Sequence, residues 1–383
     1  MPLVTQNDIA KAAGVSRLSV HRALTGQKGV SQATRRRIQK LADKFGYRPN
    51  AFARGMRTGT FGTVALILSK HAERSYLPFQ ALAGICDALD QDGLQLTVAR
   101  LPDEKLTDAS FLPRICRELC SDGMLIDYTN DTPNKLDRLV ESLRQPAIWL
   151  NRKRAHDCVY PDDVALGREA TRRLLAVGHR RIVYFDWGPG WKQLDHVHYS
   201  RRDRQVGYAE AMRDAGLTPR PIRRDDSDVP TSSQEIMAVI GELVRGENAA
   251  TGFVSYAWRF GRHVAAGVQR QGLRVPADVS MITIGEQLHR TDDNTWVDTA
   301  VVPSYGYGVA AVEAVLDKIK SPETLLPARA VEPAEFRSGQ TVAPPPGVSR
   351  SQAVHDGKWI PTQTGTRGRV TLDEGWIADK VGV

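Results

Sequence analysis

The sequence predicts two kinds of structure in one chain: a small all-α helix-turn-helix headpiece and a larger, two-lobed α/β body. Three observations carry that expectation. Residues 1–60 hold 12 Lys and Arg against 2 carboxylates, Asp8 and Asp43, a net of +10, whereas the remainder holds 40 against 42 and nets −2. Residues 5–24, TQNDIAKAAGVSRLSVHRAL, read as two short helices joined at Gly14. Beyond Gly62, six apolar runs alternate with helical stretches, the rhythm of a doubly wound α/β fold.

In the head, Thr5 with Asp8 three residues on has the form of a capping box, so the first helix starts near Gln6 and turns Ile9, Ala10 and Ala13 inward. Gly14 tolerates positive φ and ends it. Ser16 caps a second helix, with Val20 and Leu24 inward and Arg17, Leu18, His21 and Arg22 outward. A third helix follows Ser31, buries Ile38, Leu41, Ala42 and Phe45, and stops at Gly46 before Pro49. A concentrated cationic module attracts a polyphosphate backbone by releasing condensed counterions, so double-stranded DNA is the first partner to consider. The second helix of such a unit enters the major groove, where arginine donates two bonds to guanine. Arg17, Leu18 and Arg22 are then the base readers, Leu18 by apolar contact, while Thr5, Ser16, Ser19, Ser31 and Thr34 position the module on phosphates. The bland alternative is a helical hairpin with merely solvated charges, and the charge asymmetry argues against it.

The body runs are TVALIL (63–68), DGMLI (122–126), PAIWL (146–150), RIVYF (181–185), TGFVS (251–255) and VSMITI (279–284). Their continuous apolar character fits strands buried on both faces of parallel sheets, and they divide into two groups of three, hence two lobes. Cys86, Cys116, Cys120 and Cys158 show no zinc-site spacing and read as small buried hydrophobes. No apolar run reaches about 18 residues, and MPLVTQND lacks the blocks of a secretory signal, so a cytoplasmic location is expected and an exported binding protein is not.

VTQNDIAKAAGVSRLSVHRAL, VSQATRRRI and GYRPNAFARGMRTGTFGTVALIL closely resemble the DNA-binding headpiece and hinge of the lactose and galactose repressor (LacI/GalR) family. GHRRIVYFDWGP (178–189), RQVGYAEAMRDAG (204–216), LRVPADVSMITIG (273–285) and RSGQTVAPP (337–345) extend the likeness through most of the chain. The resemblance implies a homodimeric transcriptional repressor on a pseudo-palindromic operator, without a cofactor, its periplasmic-binding-protein-like lobes holding a small carbohydrate-like effector or sugar acid between them. It implies a headpiece over 1–48, a hinge helix and linker over 49–61, and a body over 62–345. The chain would cross between lobes near residues 163 and 292, giving lobe 1 as 62–163 with 293–325 and lobe 2 as 164–292 with 326–345. In the hinge, Asn50 would cap, Ala53 would sit at the close contact with a second subunit, and Met56, where the family usually has leucine, would wedge into the minor groove. A plain flexible linker is the alternative there.

Carried over position by position, Arg204 matches the arginine that grips effector hydroxyls or carboxylates, Asn151 stands where aspartate is frequent, and Tyr76 lies at the cleft rim. A familiar Asn-Asp pair is replaced by Ala257 and Trp258, and a later Asp-Asp by Gly285 and Glu286. Trp258 would stack on a planar or sugar ligand, or else seal a lost pocket, which is the motive for an alternative reading as a constitutive DNA binder. Glu286 is either a ligand contact or a solvated carboxylate, and the loop 186–199 would line the entrance. Asp195, His196 and His198 offer a metal-dependent enzyme as a further alternative, with no third ligand nearby and no GxxxxGK, GxSxG or HExxH motif to support it. The extension 346–383 lacks a leucine heptad, and its Trp359 and Trp376 hint at a segment packing back on the body.

Overall fold

A computed structural model describes residues 4–48, 55, 59–104, 121–188, 197–224, 232–333 and 335–348. The chain divides into two compact units, Met1–Gly62 and Thr63–Val383. The expected roles of Asn50, Ala53 and Met56 lie outside the described residues, as do Cys116, Cys120, Asp195, His196, Trp359 and Trp376. Among the described residues no helix is long and apolar enough to cross a membrane.

The first unit is built from α1 (Gln6–Ala13), α2 (Arg17–Leu24) and α3 (Gln32–Lys44). Each starts at a hydroxyl cap, Thr5, Ser16 and Ser31, that accepts from the backbone N–H three residues on, and Asp8 returns the bond to the Thr5 N–H at 2.9 Å. The bond from the Thr5 hydroxyl, with that backbone bond second, holds the Asp8 carboxyl below its ordinary value. Ile9, Ala10, Ala13, Val20, Ala23, Ile38 and Ala42 form the shared core. Phe45 departs from expectation: it caps the end of α3 and is 37 % exposed, because the helix stops there and the next turn brings Tyr47 onto the core instead. Two of the head's cations are structural. The Arg35 guanidinium donates to the carbonyls of Ala23 and Gln27 at 3.0 and 2.6 Å, and Arg37 donates to Ala13 at 2.7 Å, closing the C-terminal ends of α2 and α1 where free carbonyls and the helix dipole favour positive charge.

The second unit holds two six-stranded sheets. The first contains β1 (Thr63–Ser69), β2 (Gln95–Leu101), β3 (Gly123–Asp127), β4 (Ala147–Leu150), β5 (Cys158–Pro161) and β11 (Arg329–Val331), in the order β11-β5-β4-β3-β1-β2. The second contains β6 (Ile182–Asp186), β7 (Arg220–Arg223), β8 (Gly252–Ser255), β9 (Ser280–Gly285), β10 (Asp298–Val301) and β12 (Phe336–Arg337), in the order β12-β10-β9-β8-β6-β7. All pairings are parallel except β10 with β12. The first five strands of each sheet thus follow one doubly wound order, whose ligands sit at strand carboxyl ends. The expected six runs are β1, β3, β4, β6, β8 and β9.

Helices cover both faces of each sheet. In the first sheet α4 (Phe79–Gln91) and α10 (Ser304–Lys320) take one face and α5 (Asn134–Leu143) the other. Around the second sheet lie α6 (Asp163–Ala176), α7 (Ser200–Asp214), α8 (Ser233–Leu243) and α9 (Trp258–Arg270). The chain passes between sheets after Pro161, after Val301 and after Val331. The expected return near 292 is therefore corrected, because β10 pairs with β9 and belongs to the second sheet. The segment assigned to lobe 2 from 326 is corrected likewise, since β11 pairs with β5. Of the cysteines, Cys158 is buried as expected, whereas Cys86 sits on an exposed position of α4.

A glycine crossing recurs in both lobes. A Cβ at Gly84 or Gly308 would come within 2.3 Å of a carbonyl on the facing helix, α10 or α4, and a Cβ at Gly167 or Gly207 would meet the Arg204 or Val164 carbonyl at 1.9 Å. Backbones that close admit no side chain. Gly207→Ala should therefore push α7 off α6 and destabilise the second unit by about 1–3 kcal/mol, read as a lower urea midpoint, and an unchanged midpoint would count against this crossing.

Candidate functional site

Two regions concentrate the expected residues. On the head, Arg17 and Leu18 project from α2, Leu18 with 55 % of its surface exposed, and His21 and Arg22 are half-buried beside them. Leu18 is thus not committed to the core and stands free on the same face as Arg17. The hydroxyls of Ser16 and Ser19 lie 3.0 Å apart, and those of Ser31 and Thr34 are 2.9 Å apart, at the first turns of α2 and α3. With Thr5 at the start of α1, these helix N-termini offer backbone N–H groups and the positive dipole end to anions.

The second region lies where the strand carboxyl ends of the two sheets face one another. Arg204, three residues before Gly207 on α7, is buried and donates from Nε to Asp163 Oδ1 at 2.6 Å and from Nη1 to the Tyr256 carbonyl at 2.8 Å. Asp163 is four residues before Gly167 on α6, so the glycine crossing is what brings acid and base together. The Arg204 guanidinium also lies 4.8 Å from the centre of the Tyr256 ring. Burial disfavours its charge, but Asp163 outweighs that and holds the guanidinium protonated above its ordinary value.

Tyr76 and Glu286 were expected as separate cleft residues and are in fact partners. The Tyr76 hydroxyl, from the segment after β1, donates to Glu286 Oε2, just past β9, at 2.8 Å and so ties the two lobes. Burial raises the Glu286 carboxyl, opposed by the Tyr76 bond and by Arg204, so Glu286 is not a freely solvated acid. Asn151 has φ 48°, a left-handed conformation that asparagine tolerates, and its side-chain oxygen accepts from Tyr199 at 3.3 Å. Its carbonyl accepts from His198 Nε2 at 2.9 Å. Because that nitrogen donates, His198 Nδ1 accepts from the Ser200 hydroxyl at 2.7 Å, and Ser200 accepts from Tyr256 at 2.9 Å. Burial keeps this imidazole below its ordinary pKa and neutral. Both ring nitrogens are thereby spent within the protein, which leaves the metal reading of His198 without a ligand atom. Lys153 and Asp203, 2.8 Å apart, make a further bond between lobes.

Trp258 already has a stacking partner within the protein. It opens α9 and stacks on His289, with ring centres 5.1 Å apart and 8° between planes, so one of its faces is already covered by the protein. Tyr256, two residues earlier, is the aromatic ring that meets Arg204.

Residue-by-residue reading missed Asp127 and Tyr307. Asp127 ends β3 completely buried, and neither carboxylate oxygen meets a protein hydrogen-bond partner. Desolvation pushes its carboxyl up to about 7. The buried hydroxyls of Ser304, Tyr307, Ser255, Thr283 and Tyr184 are unpartnered as well. Burial raises the Tyr307 hydroxyl far above its ordinary value, and the charges and dipoles of Asp127, Glu286, Tyr76 and Asp163 add to that. Buried polar atoms normally find partners, so Asp127 at the carboxyl end of β3 and Ser255 at that of β8 stand out as polar groups left available there. The signal in the sequence was a carboxylate closing an otherwise apolar run, LIDY.

Comparison with known proteins bears on both regions. Residues 5–50 match the profile of bacterial regulatory proteins of the lacI family, and residues 171–342 match that of the periplasmic binding protein-like domain. The HTH-type transcriptional repressor PurR of Aliivibrio salmonicida (strain LFI1238) is 24% identical over 323 residues, covering 83% of this chain and 93% of that protein. The lac repressor dimer bound to operator and the anti-inducer ONPF superposes with a TM-score of 0.68 at 19% identity, over 89% of this chain and 100% of that one. The complex of the transcriptional regulator CelR with cellobiose gives 0.55 at 22% identity, over 88% and 100%.

Proposed function

This chain belongs to the lacI family of bacterial regulatory proteins, a DNA-binding transcriptional regulator, and from that premise we propose how its two regions divide the work. The exposed Arg17–Leu18 face of α2, framed by three capped helix N-termini, is the observation that carries the DNA-reading half. Arg17 and Arg22 read guanine edges, Leu18 a thymine methyl, and Thr5, Ser16, Ser19, Ser31 and Thr34 hold phosphates. Two copies of the chain, paired as a homodimer, place two heads on a pseudo-palindromic operator in the cytoplasm, with Asn50, Ala53 and Met56 working at the centre of the site. The unpartnered polar groups between the lobes are the seat of a small-molecule effector, carbohydrate-like as the cellobiose of CelR is. Effector binding changes how the lobes meet, and a coupling of about 1–3 kcal/mol to operator affinity is typical of such control.

The test is selection of an operator from random duplexes followed by titration of variants. Arg22→Ala should cost about 1–3 kcal/mol on the selected duplex and much less on random DNA, whose affinity comes from phosphate contacts alone. Equal loss on both duplexes would remove Arg22 from the base readers. A chain without residues 1–60 that kept full duplex affinity would overturn the DNA-reading half outright.

A further inference from the structure

We infer that the effector is an acidic carbohydrate, a sugar carrying a carboxylate or a phosphate, and that its anionic group is seated at the amino end of α9 beside Arg259. This rests on the effector reading above and narrows it to a ligand class.

Hydrogen-bond donors collect at that end. α9 is a 13-residue helix entered from Ala257, which offers no side-chain cap, and its first turn holds Arg259 and no acid. The N–H groups of Trp258 and Arg259 precede the first internal bonds, which Phe260 and Gly261 make to the Ala257 carbonyl. Those two groups and the positive end of the helix dipole call for an acceptor from outside the helix. An arginine in the first turn opposes the dipole, and a bound anion reconciles the two.

Beneath that turn lie hydroxyls with nothing to bond. Ser255 and Thr283 are register partners on β8 and β9, so their side chains share one face of the sheet. That face is the one α9 covers, because a Cβ on Gly261 would stand 3.6 Å from Thr283 Oγ1. Both hydroxyls are fully buried and unpartnered. In the same row Phe185 partners Ser255, and Trp187 stacks on Phe185 at 5.8 Å with its Nε1–H buried and unpartnered as well. An indole N–H can only donate.

The charges agree with the donors. Three guanidinium groups stand around the Tyr256 ring, Arg204 at 4.8 Å, Arg259 at 5.7 Å and Arg201 at 5.8 Å from its centre. Arg204 is bonded to Asp163, and Arg201 donates to both oxygens of Asp186 at 2.7 and 2.8 Å. Arg259 is exposed, lies against the rings of Phe260 and Tyr256, and among the described residues pairs with no carboxylate. Glu286 is engaged by Tyr76 instead. The third cation at this ring is therefore the one left for a ligand. A neutral sugar would leave it unpaired, and an ammonium would bring a like charge toward it.

The experiment is a matched series on the full-length protein: D-glucose, D-glucuronate, D-glucose 6-phosphate and D-glucosamine, with the corresponding galactose and mannose sets, by calorimetric titration and melting at constant ionic strength. An acidic member of at least one set should bind about tenfold or more tightly than its neutral and amine counterparts, the scale of a hydrogen bond to a charged group. The carboxylate and phosphate arms separate the two forms of the anion. Arg259→Gln, which removes the charge at an exposed position, should abolish the preference. Thr283→Val removes an unpartnered hydroxyl, so it should lower affinity for the acid while the ligand-free protein melts no lower than the wild type, a combination that a purely structural role does not give. A neutral or amine member that binds as tightly as the acids, an acid preference that survives Arg259→Gln, or an acid affinity untouched by Thr283→Val overturns this inference and leaves the effector reading standing. If no member of any set shifts melting or operator affinity at millimolar concentration, the effector reading falls, and this inference with it.

Discussion

Arg204→Ala should unfold the two-sheet unit more readily by about 3–5 kcal/mol, an effect visible in denaturation before any change in DNA binding is sought. The reason is the state in which the substitution leaves Asp163. That carboxylate is 1 % exposed and Arg204 11 %, so their bond is made almost out of water. A buried pair of this kind adds little net stability against well-packed apolar residues, but removing one partner strands the other as an uncompensated charge. The same deletion frees the Tyr256 carbonyl, which loses its donor at 2.8 Å. Arg204→Lys keeps the charge and loses the planar fork that serves both acceptors, so it should fall between wild type and alanine. Restoring neutrality with Arg204→Met and Asp163→Leu together should recover most of the loss. If Arg204→Ala melted with the wild type, Asp163 would have to be solvated or protonated, and the packing of α6 on α7 described above would be wrong. An effector response lost in Arg204→Ala is then interpretable only beside the double variant, because the residue supports the crossing as well as facing the cleft.

What the sequence made legible, and what it hid, follows from the range of the interactions involved. The head was readable because its determinants are local: Thr5 with Asp8, Ser16 with Ser19 and Ser31 with Thr34 are each three residues apart. Phe45 failed since a helical stripe continued past the cap has no physical meaning. In the body, the six interior strands advertise themselves by being buried on both faces, as in β3 and β8. The others do not. β2 is mostly exposed along its length, β7 half so, and β11 and β12 run for three and two residues, so none produces an apolar run. Missing β10 and β11 displaced the points at which the chain changes lobe. The Tyr76–Glu286 bond joins residues 210 apart, and no spacing rule reaches that far. Arg204 was found by likeness to relatives, whereas its partner Asp163 became evident only when the two glycines placed α6 against α7.

The stability of Asp127→Asn, compared with the wild type, should depend steeply on pH. The unfolded carboxyl ionises around its ordinary value of 3.8, and the folded one is held protonated up to about 7 by burial. Below pH 4 both states of the wild type carry the proton and the group is neutral throughout. Between pH 4 and 7 the unfolded chain releases its proton while the folded chain keeps it, so stability drains away as pH rises through that window and levels off above 7. About three pH units at 1.36 kcal/mol each come to roughly 4 kcal/mol, which the asparagine variant does not lose. Urea denaturation should then find the two proteins alike near pH 4 and the variant about 4 kcal/mol more stable at pH 8. A difference that stayed constant with pH would mean that Asp127 is ionised in the folded protein and has a counter-charge. A residue that costs this much at neutral pH is explained by what it binds: a saturating effector that engages the Asp127 carboxyl should narrow the gap at pH 8, because binding to the folded state stabilises it by mass action.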